Sequence, residues 1–264
     1  MDTTTVTAGG ALPSFIDLRA YRQSATERQR SDDLMRLAAG GAASALDVGA
    51  RDGYFSRLLA ERYQHVVALD LVKPSIAHPR VSCIAGDATA MPFADAGFDL
   101  VLCAEVLEHI PPPLLARACA ELARVTRTHL LVGVPFEQDT RVGRTTCGVC
   151  GQANPPWGHV NQFDETRLRS LFAGMRIEAM SFVGESRDST NALSRVLMDL
   201  AGNPYGTYGQ DEPCVFCGAS IMQAPSRSLA QKALTRAAFW ARGVTEVFDR
   251  PRPAWIHLLL RKEP

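Results

Sequence analysis

Residues 46–56 read Leu46-Asp47-Val48-Gly49-Ala50-Arg51-Asp52-Gly53-Tyr54-Phe55-Ser56. An apolar run ends in an acid, two glycines follow, and an aromatic-rich stretch begins. The pattern predicts a buried strand, a tight turn and a helix start. Glycines let the backbone turn sharply and approach a ligand closely. A helix start offers free N–H groups and partial positive charge. Arg51 stands between the glycines, and a non-glycine there must avoid positive φ. The expectation is therefore a slightly altered turn, with the Arg51 guanidinium beside a ligand carboxylate or in solvent.

Outward from this turn, apolar strand patterns alternate with helical ones. Strands are predicted at residues 43–49, 65–71, 80–86, 98–104, 128–135, 176–183 and 254–261. Helical periodicity falls at 24–39, 54–62, 112–125, 164–172, 193–200 and 228–247. Strands alternating with helices imply an α/β fold, a doubly wound and mostly parallel sheet with helices on both faces. Ligands in such sheets sit outside the carboxyl ends of the strands. Residues 1–23 read as a flexible N-terminal segment, small and Thr- and Gly-rich at the start. A core at 24–184 carries an insertion at 137–162, a helical insertion follows at 185–253, and residues 254–264 close the sheet.

Hydrophobic residues make up 46% of the 264 and charged residues 21%, with 28 basic against 28 acidic side chains. Zero formal charge disfavours a nucleic-acid partner, which usually needs a basic excess. No stretch of 18 apolar residues predicts a membrane span, and the N-terminus lacks the pattern of a secretory signal. With the cysteine usage described below, the expected location is cytoplasmic.

Acids recur at strand ends. Asp70 ends VVALD, about 20 residues past the glycines, where it suits a ribose diol. Asp87, in CIAGDATAMPF, can accept from an exocyclic amine. Cys103, Glu105 and His109 lie in FDLVLCAEVLEHI, at and just past the fourth strand. A nicotinamide dehydrogenase would prefer G-x-G-x-x-G, which is absent, and would not need Asp87 or the Glu-His segment. Together these residues resemble the class I S-adenosylmethionine-dependent methyltransferases, over roughly residues 43–183 plus the closing strand. The resemblance implies a seven-stranded Rossmann-like sheet. It also implies that the turn of Asp47, Gly49, Ala50, Arg51 and Gly53 holds the methionine part of the cofactor. Asp70 would take the ribose hydroxyls, and Asp87 with the Ala88 N–H would read the adenine. Leu71 and Met91 would sandwich the ring, with Cys103 and Glu105 reaching the cofactor from the fourth strand.

Cys147-Gly-Val-Cys150-Gly151 and Cys214-Val-Phe-Cys217-Gly218 repeat one C-x-x-C-G form. Two such pairs supply the four thiolates of a structural zinc. Neither pair opens a helix after a strand, which disfavours thioredoxin-like redox work. His159 is a reserve ligand. Both segments are expected on the cofactor side, so a shared metal would join them into a lid over the active site. Cys83 and Cys119 sit in apolar surroundings.

For a hydroxyl acceptor a base helps methyl transfer. His109 and His159, in WGHVNQF, are the candidates; Glu105 and Glu108 read as contacts. His65, His129 and His257 read as structural, and Trp157 and Phe163 as pocket wall or core. The cysteine loop followed by G-H-x-x-x-F looks like a subset of these methyltransferases associated with glycan and secondary-metabolite pathways. That favours O-methylation of a sugar or other hydroxylated small molecule. N-methylation, a non-catalytic binding protein and an rRNA methyltransferase remain as alternatives. A homodimer is compatible with the sequence.

Overall fold

The computed structural model describes residues 18, 22–38, 43–246 and 249–263. Most of the expected flexible segment at 1–23 lies outside the described residues. Helix α1 (Ala25–Leu37) starts at Ser24, whose hydroxyl accepts from the Glu27 N–H. Seven strands then form one sheet: β1 (Ser44–Val48), β2 (His65–Asp70), β3 (Val81–Ala85), β4 (Phe98–Ala104), β5 (Thr126–Pro135), β8 (Met175–Val183) and β9 (Trp255–Lys262). Their order is β3-β2-β1-β4-β5-β9-β8, parallel except for β9, which runs antiparallel to both of its neighbours. The doubly wound α/β expectation holds.

Side-chain alternation explains the two faces. Leu46, Val48, Val67, Leu69, Val101 and Cys103 pack with Leu115, Cys119 and Leu122 of α3 (Pro112–Val125) and Leu168 of α4 (Glu165–Leu171). Ala45, Val66, Leu100, Leu102 and Leu131 turn the other way, onto Leu34 and Leu37 of α1 and Phe55 and Leu59 of α2 (Tyr54–Ala60). Prolines at the start of α3 cost nothing, because the first-turn N–H groups have no helical partner.

Strand β5 begins two residues earlier than expected, because α3 ends at Val125 and Thr126 is already extended. A two-stranded ribbon, β6 (Thr145–Thr146) with β7 (Ala153–Asn154), was not foreseen. After β8 come α5 (Ala192–Leu200) and α6 (Leu229–Glu246), packed together by Ser194 Oγ donating to the Ala238 carbonyl at 2.8 Å. His129 Nε2 lies 2.9 Å from Glu178, and His257 Nδ1 lies 2.7 Å from Asp33, in keeping with structural roles. His65 is exposed at the start of β2.

Candidate active site

The turn after β1 is built by its own backbone. Gly49 and Ala50 N–H groups donate to the Leu69 carbonyl at 2.8 and 3.1 Å, and Gly53 N–H donates to Ala50 at 2.7 Å. Gly49 has φ +77° and Gly53 φ +74°. A Cβ at Gly49 would lie 2.3 Å from Val106 Cγ2, so only glycine lets the turn meet the loop after β4.

Arg51 departs from expectation: its φ is +44°. Two attachments hold it there. Its N–H donates to Asp70 Oδ2 at 2.8 Å, and its guanidinium is ion-paired with Asp211. Asp70 thus stands at the tip of β2, facing the turn. Asp47 is 3% exposed and accepts from Ser56 Oγ at 2.5 Å, so it braces the turn from inside. Burial raises its carboxyl to about 6. Asp87 is exposed after β3 and accepts from the Thr89 N–H at 2.7 Å. Leu71 is 75% exposed, while Ala88 and Met91 are buried at the edge of the core. The half-buried Asp70 and exposed Asp87 carboxylates, the open apolar Leu71 and the glycine turn line the carboxyl ends of β1, β2 and β3, a set that fits S-adenosylmethionine. The Cys103 side chain is fully buried in the core on the α3 face.

The loop after β4 supplies a second group. Glu105, at φ +59°, places its carboxylate 3.7 Å from Arg30 Nη1. Burial raises the Glu105 carboxyl, and the Arg30 charge opposes that. Glu108 is fully buried, and neither carboxylate oxygen has a hydrogen-bond partner among the described residues. Burial, with the charge of Glu105 beside it, holds Glu108 well above the usual carboxylate range. His109 and His159 pack edge to face, ring centres 4.6 Å apart. Burial lowers His109 to about 4, helped by the Arg51 charge, and lowers His159 to about 3, helped by His109. Glu108, His109 and His159 each bring one ligating atom to within 4.8 Å of the others. The structure therefore unites both histidines that the sequence separated, and adds Glu108. The signal for Glu108 was a carboxylate set among Val106, Leu107 and Ile110.

His159 does not join the cysteines as a reserve ligand; its Nδ1 lies 2.6 Å from Gln138 Oε1. Gln138 also lines an open cleft of about 800 Å³, with Arg141, Phe163, Arg167 and Arg252 on its walls. Phe163 is core as well as wall, at 1% exposure, whereas Trp157 is half exposed.

The four expected cysteines meet. Cys147 Sγ is 3.7 Å from Cys217 Sγ, and Cys150 Sγ is 3.6 Å from Cys214 Sγ. Tetrahedral sulfurs around an ion at about 2.3 Å stand about 3.8 Å apart, so the set fits zinc. The two loops are near copies. Gly151 and Gly218, both at φ +72°, return N–H groups to the Cys147 and Cys214 carbonyls. The N–H groups of Val149 and Cys150 face the Cys147 sulfur, and those of Phe216 and Cys217 face Cys214. All four are free thiols, not disulfides. This centre lies beside the active site: Trp157 N–H donates to Gln210 Oε1 at 2.9 Å, and a Cβ at Gly158 would sit 3.1 Å from Glu212 and 3.8 Å from His109 Nδ1.

Comparison with known proteins agrees with this architecture. Residues 46–129 match the methyltransferase domain family. A "Probable S-adenosylmethionine-dependent methyltransferase" of Mycobacterium tuberculosis is 32% identical over 137 residues, 49% of this chain and 47% of the relative. The "Ubiquinone biosynthesis O-methyltransferase" of Idiomarina loihiensis is 36% identical over 88 residues, covering 29% and 36%. The chain spans less than half the length of the curated relatives it matches. Among solved structures, the N-methyltransferase NodS of Bradyrhizobium japonicum with S-adenosyl-L-homocysteine gives a TM-score of 0.55 at 16% identity, covering 94% of this chain and 93% of that one. At that identity the likeness is one of fold.

Proposed function

We propose, for a chain that belongs with the class I S-adenosylmethionine-dependent methyltransferases in domain and fold, that it methylates a hydroxyl of a sugar or another hydroxylated small molecule. The observation that carries this reading is the loop after β4. It presses Val106 against Gly49 of the cofactor turn and carries His109, whose ring packs on that of His159. Gly49 and Gly53 hold the methionine part, Asp70 the ribose and Asp87 the adenine amine. The sulfonium is already a strong methyl donor, so the protein mainly aligns the acceptor and excludes water. His109 and His159 are the groups at the acceptor oxygen, and Gln138, in contact with His159, also lines the cleft.

Zinc held by Cys147, Cys150, Cys214 and Cys217 ties residues 137–162 to residues 185–253 as one lid. Asp211 and Glu212, on the approach to the second cysteine pair, reach Arg51 and Gly158. The partner is a small molecule and not nucleic acid, consistent with the zero formal charge. No helix of the described residues is long and apolar enough to cross a membrane.

The test is calorimetry with S-adenosylhomocysteine, followed by a methyl-transfer screen of paired hydroxyl and amine acceptors. Cofactor binding with transfer to hydroxyls supports the reading. Transfer only to amines moves N-methylation ahead, and absence of cofactor binding leaves a non-catalytic binding protein.

A further inference from the structure

Among the described residues, the Glu108 carboxylate is a buried polar group the methyl-transfer reading leaves unexplained. It is fully buried, and both oxygens lack partners among the described residues. An ionised carboxylate so placed, with only its own backbone N–H as a donor against it, costs several kcal/mol unless it takes up a proton or a cation sits against it. What does lie against it is two imidazoles, with ligating atoms mutually within 4.8 Å. Neutral imidazole nitrogens carry lone pairs and cannot neutralise the acid, but together with it they form a metal donor set.

The second imidazole is prepared for ligation. Gln138 Oε1 can only accept, so the 2.6 Å contact fixes a proton on His159 Nδ1. The lone pair is then on Nε2. A ring nitrogen held through its other N–H by an outer partner is the usual arrangement of a metal-ligating histidine. The two loops are also stitched together before any ligand arrives. Val160 and Asn161 N–H groups donate to the Glu108 carbonyl at 2.8 and 3.1 Å, and Asn161 Nδ2 donates to the Leu107 and Ile110 carbonyls at 2.9 and 2.6 Å. Three donors on two cross-braced loops give a preformed, largely buried donor set.

We propose that Glu108, His109 and His159 hold a divalent transition-metal ion that takes an acceptor hydroxyl as a further ligand. Two imidazoles and one carboxylate suit Mn²⁺, Fe²⁺, Co²⁺ or Zn²⁺ better than Mg²⁺ or Ca²⁺, which favour all-oxygen sets. The inference rests on the methyl-transfer reading and deepens it, naming the group that activates the acceptor hydroxyl. The ion lowers the pKa of a bound hydroxyl, whose proton leaves to water. The oxygen lone pair forms the new O–CH₃ bond as the S–CH₃ bond breaks. The sulfur keeps that electron pair, giving the neutral thioether of S-adenosylhomocysteine.

The test uses the full chain with its cysteine site loaded, and Mn²⁺, which prefers nitrogen and oxygen donors over thiolates. Mn²⁺ titration followed by electron paramagnetic resonance should show one site per chain. Glu108→Gln and His159→Ala should weaken it at least tenfold, and Gln138→Ala about tenfold or more. Thermal melts establish that each variant is folded. Co²⁺ added to the unaltered chain gives a second reading that needs no variant: weak visible bands of a nitrogen–oxygen site, without thiolate charge transfer. No Mn²⁺ site, Co²⁺ bands of thiolate character alone, or equal Mn²⁺ affinity in Glu108→Gln each overturn the proposal. Calorimetry with S-adenosylhomocysteine runs separately. A metal site without cofactor binding sinks the methyl-transfer reading and with it the assigned role of the ion. Cofactor binding without a metal site sinks only the ion.

Discussion

The Arg51 guanidinium is ion-paired with the Asp211 carboxylate, joining the cofactor turn to the approach of the second cysteine loop across 160 positions of sequence. The side chains are 32% and 16% exposed, so solvent screens the pair only partly. It gives a physical reason for Arg51 to tolerate positive φ, where glycine would be easier. It also makes the cofactor turn and the insertion mechanically continuous.

Asp211→Asn should loosen the insertion without touching the sheet. A partly exposed pair contributes about 1 kcal/mol or less, which is at most about a fivefold change in a local opening equilibrium. Amide hydrogen exchange over residues 207–214 should speed up by up to that factor, while β1, β4 and β5 stay protected. Unchanged exchange at 207–214 would show that the pair holds nothing in place.

Asp70→Ala should weaken S-adenosylhomocysteine binding by about 1–3 kcal/mol, the cost of removing a charged acceptor from two hydroxyls. Asp70 also accepts from the Arg51 N–H, so part of the loss would come through the turn. Asp70→Asn keeps an acceptor for that N–H and should recover part of the affinity. Calorimetry finding parental affinity in Asp70→Ala would remove Asp70 from the cofactor site.

The sheet was legible because every central strand is a short apolar run bounded by turn residues, and periodicity needs nothing more. The cofactor turn was legible because Gly49 and Gly53 mark its reversals. Arg51 was misread because what holds it, Asp70 and Asp211, lies 19 and 160 positions away. Position along β4 put Cys103 near the site, whereas alternation turns its side chain into the core on the α3 face. Ribbon β6–β7 has two residues per strand, too few for a period. His109 and His159 were each singled out, but their union with Glu108 depends on the Val160 and Asn161 bonds between loops, which spacing does not encode.

One zinc per chain should be found by elemental analysis of protein purified without chelator. The cysteine centre has a small apolar surround of its own, with Cys147, Cys214 and Ile221 buried, whereas the sheet has two large cores. Chelation should therefore release residues 145–154 and 207–219 to proteolysis while the sheet's far-ultraviolet dichroism persists. Cys147→Ser should act alike. Loss of the whole fold on chelation would mean that the metal organises more than the insertion, and zinc-free native protein would remove it altogether.

Stability should fall as pH drops from about 6.5 towards 4, through His257. This side chain lies in β9, fully buried, with Nδ1 on Asp33 and Nε2 without a partner among the described residues. Burial lowers its pKa from 6.5 to about 4, although the Asp33 carboxylate pulls the other way. The folded state thus favours neutral imidazole. Above pH 6.5 both states are neutral and the full stability is present; below it the unfolded chain takes up a proton that the fold refuses. A gap of about 2.5 units at about 1.36 kcal/mol per unit amounts to about 3 kcal/mol by pH 4. Asp33→Asn keeps the shape of the partner, removes the charge that resists this shift, and should steepen the acid loss. His257→Gln cannot be protonated and should flatten it, at some cost in stability at neutral pH. Urea melts at pH 7, 5.5 and 4.5 on the three proteins separate these slopes. An unaltered slope in His257→Gln would assign the acid sensitivity to other groups.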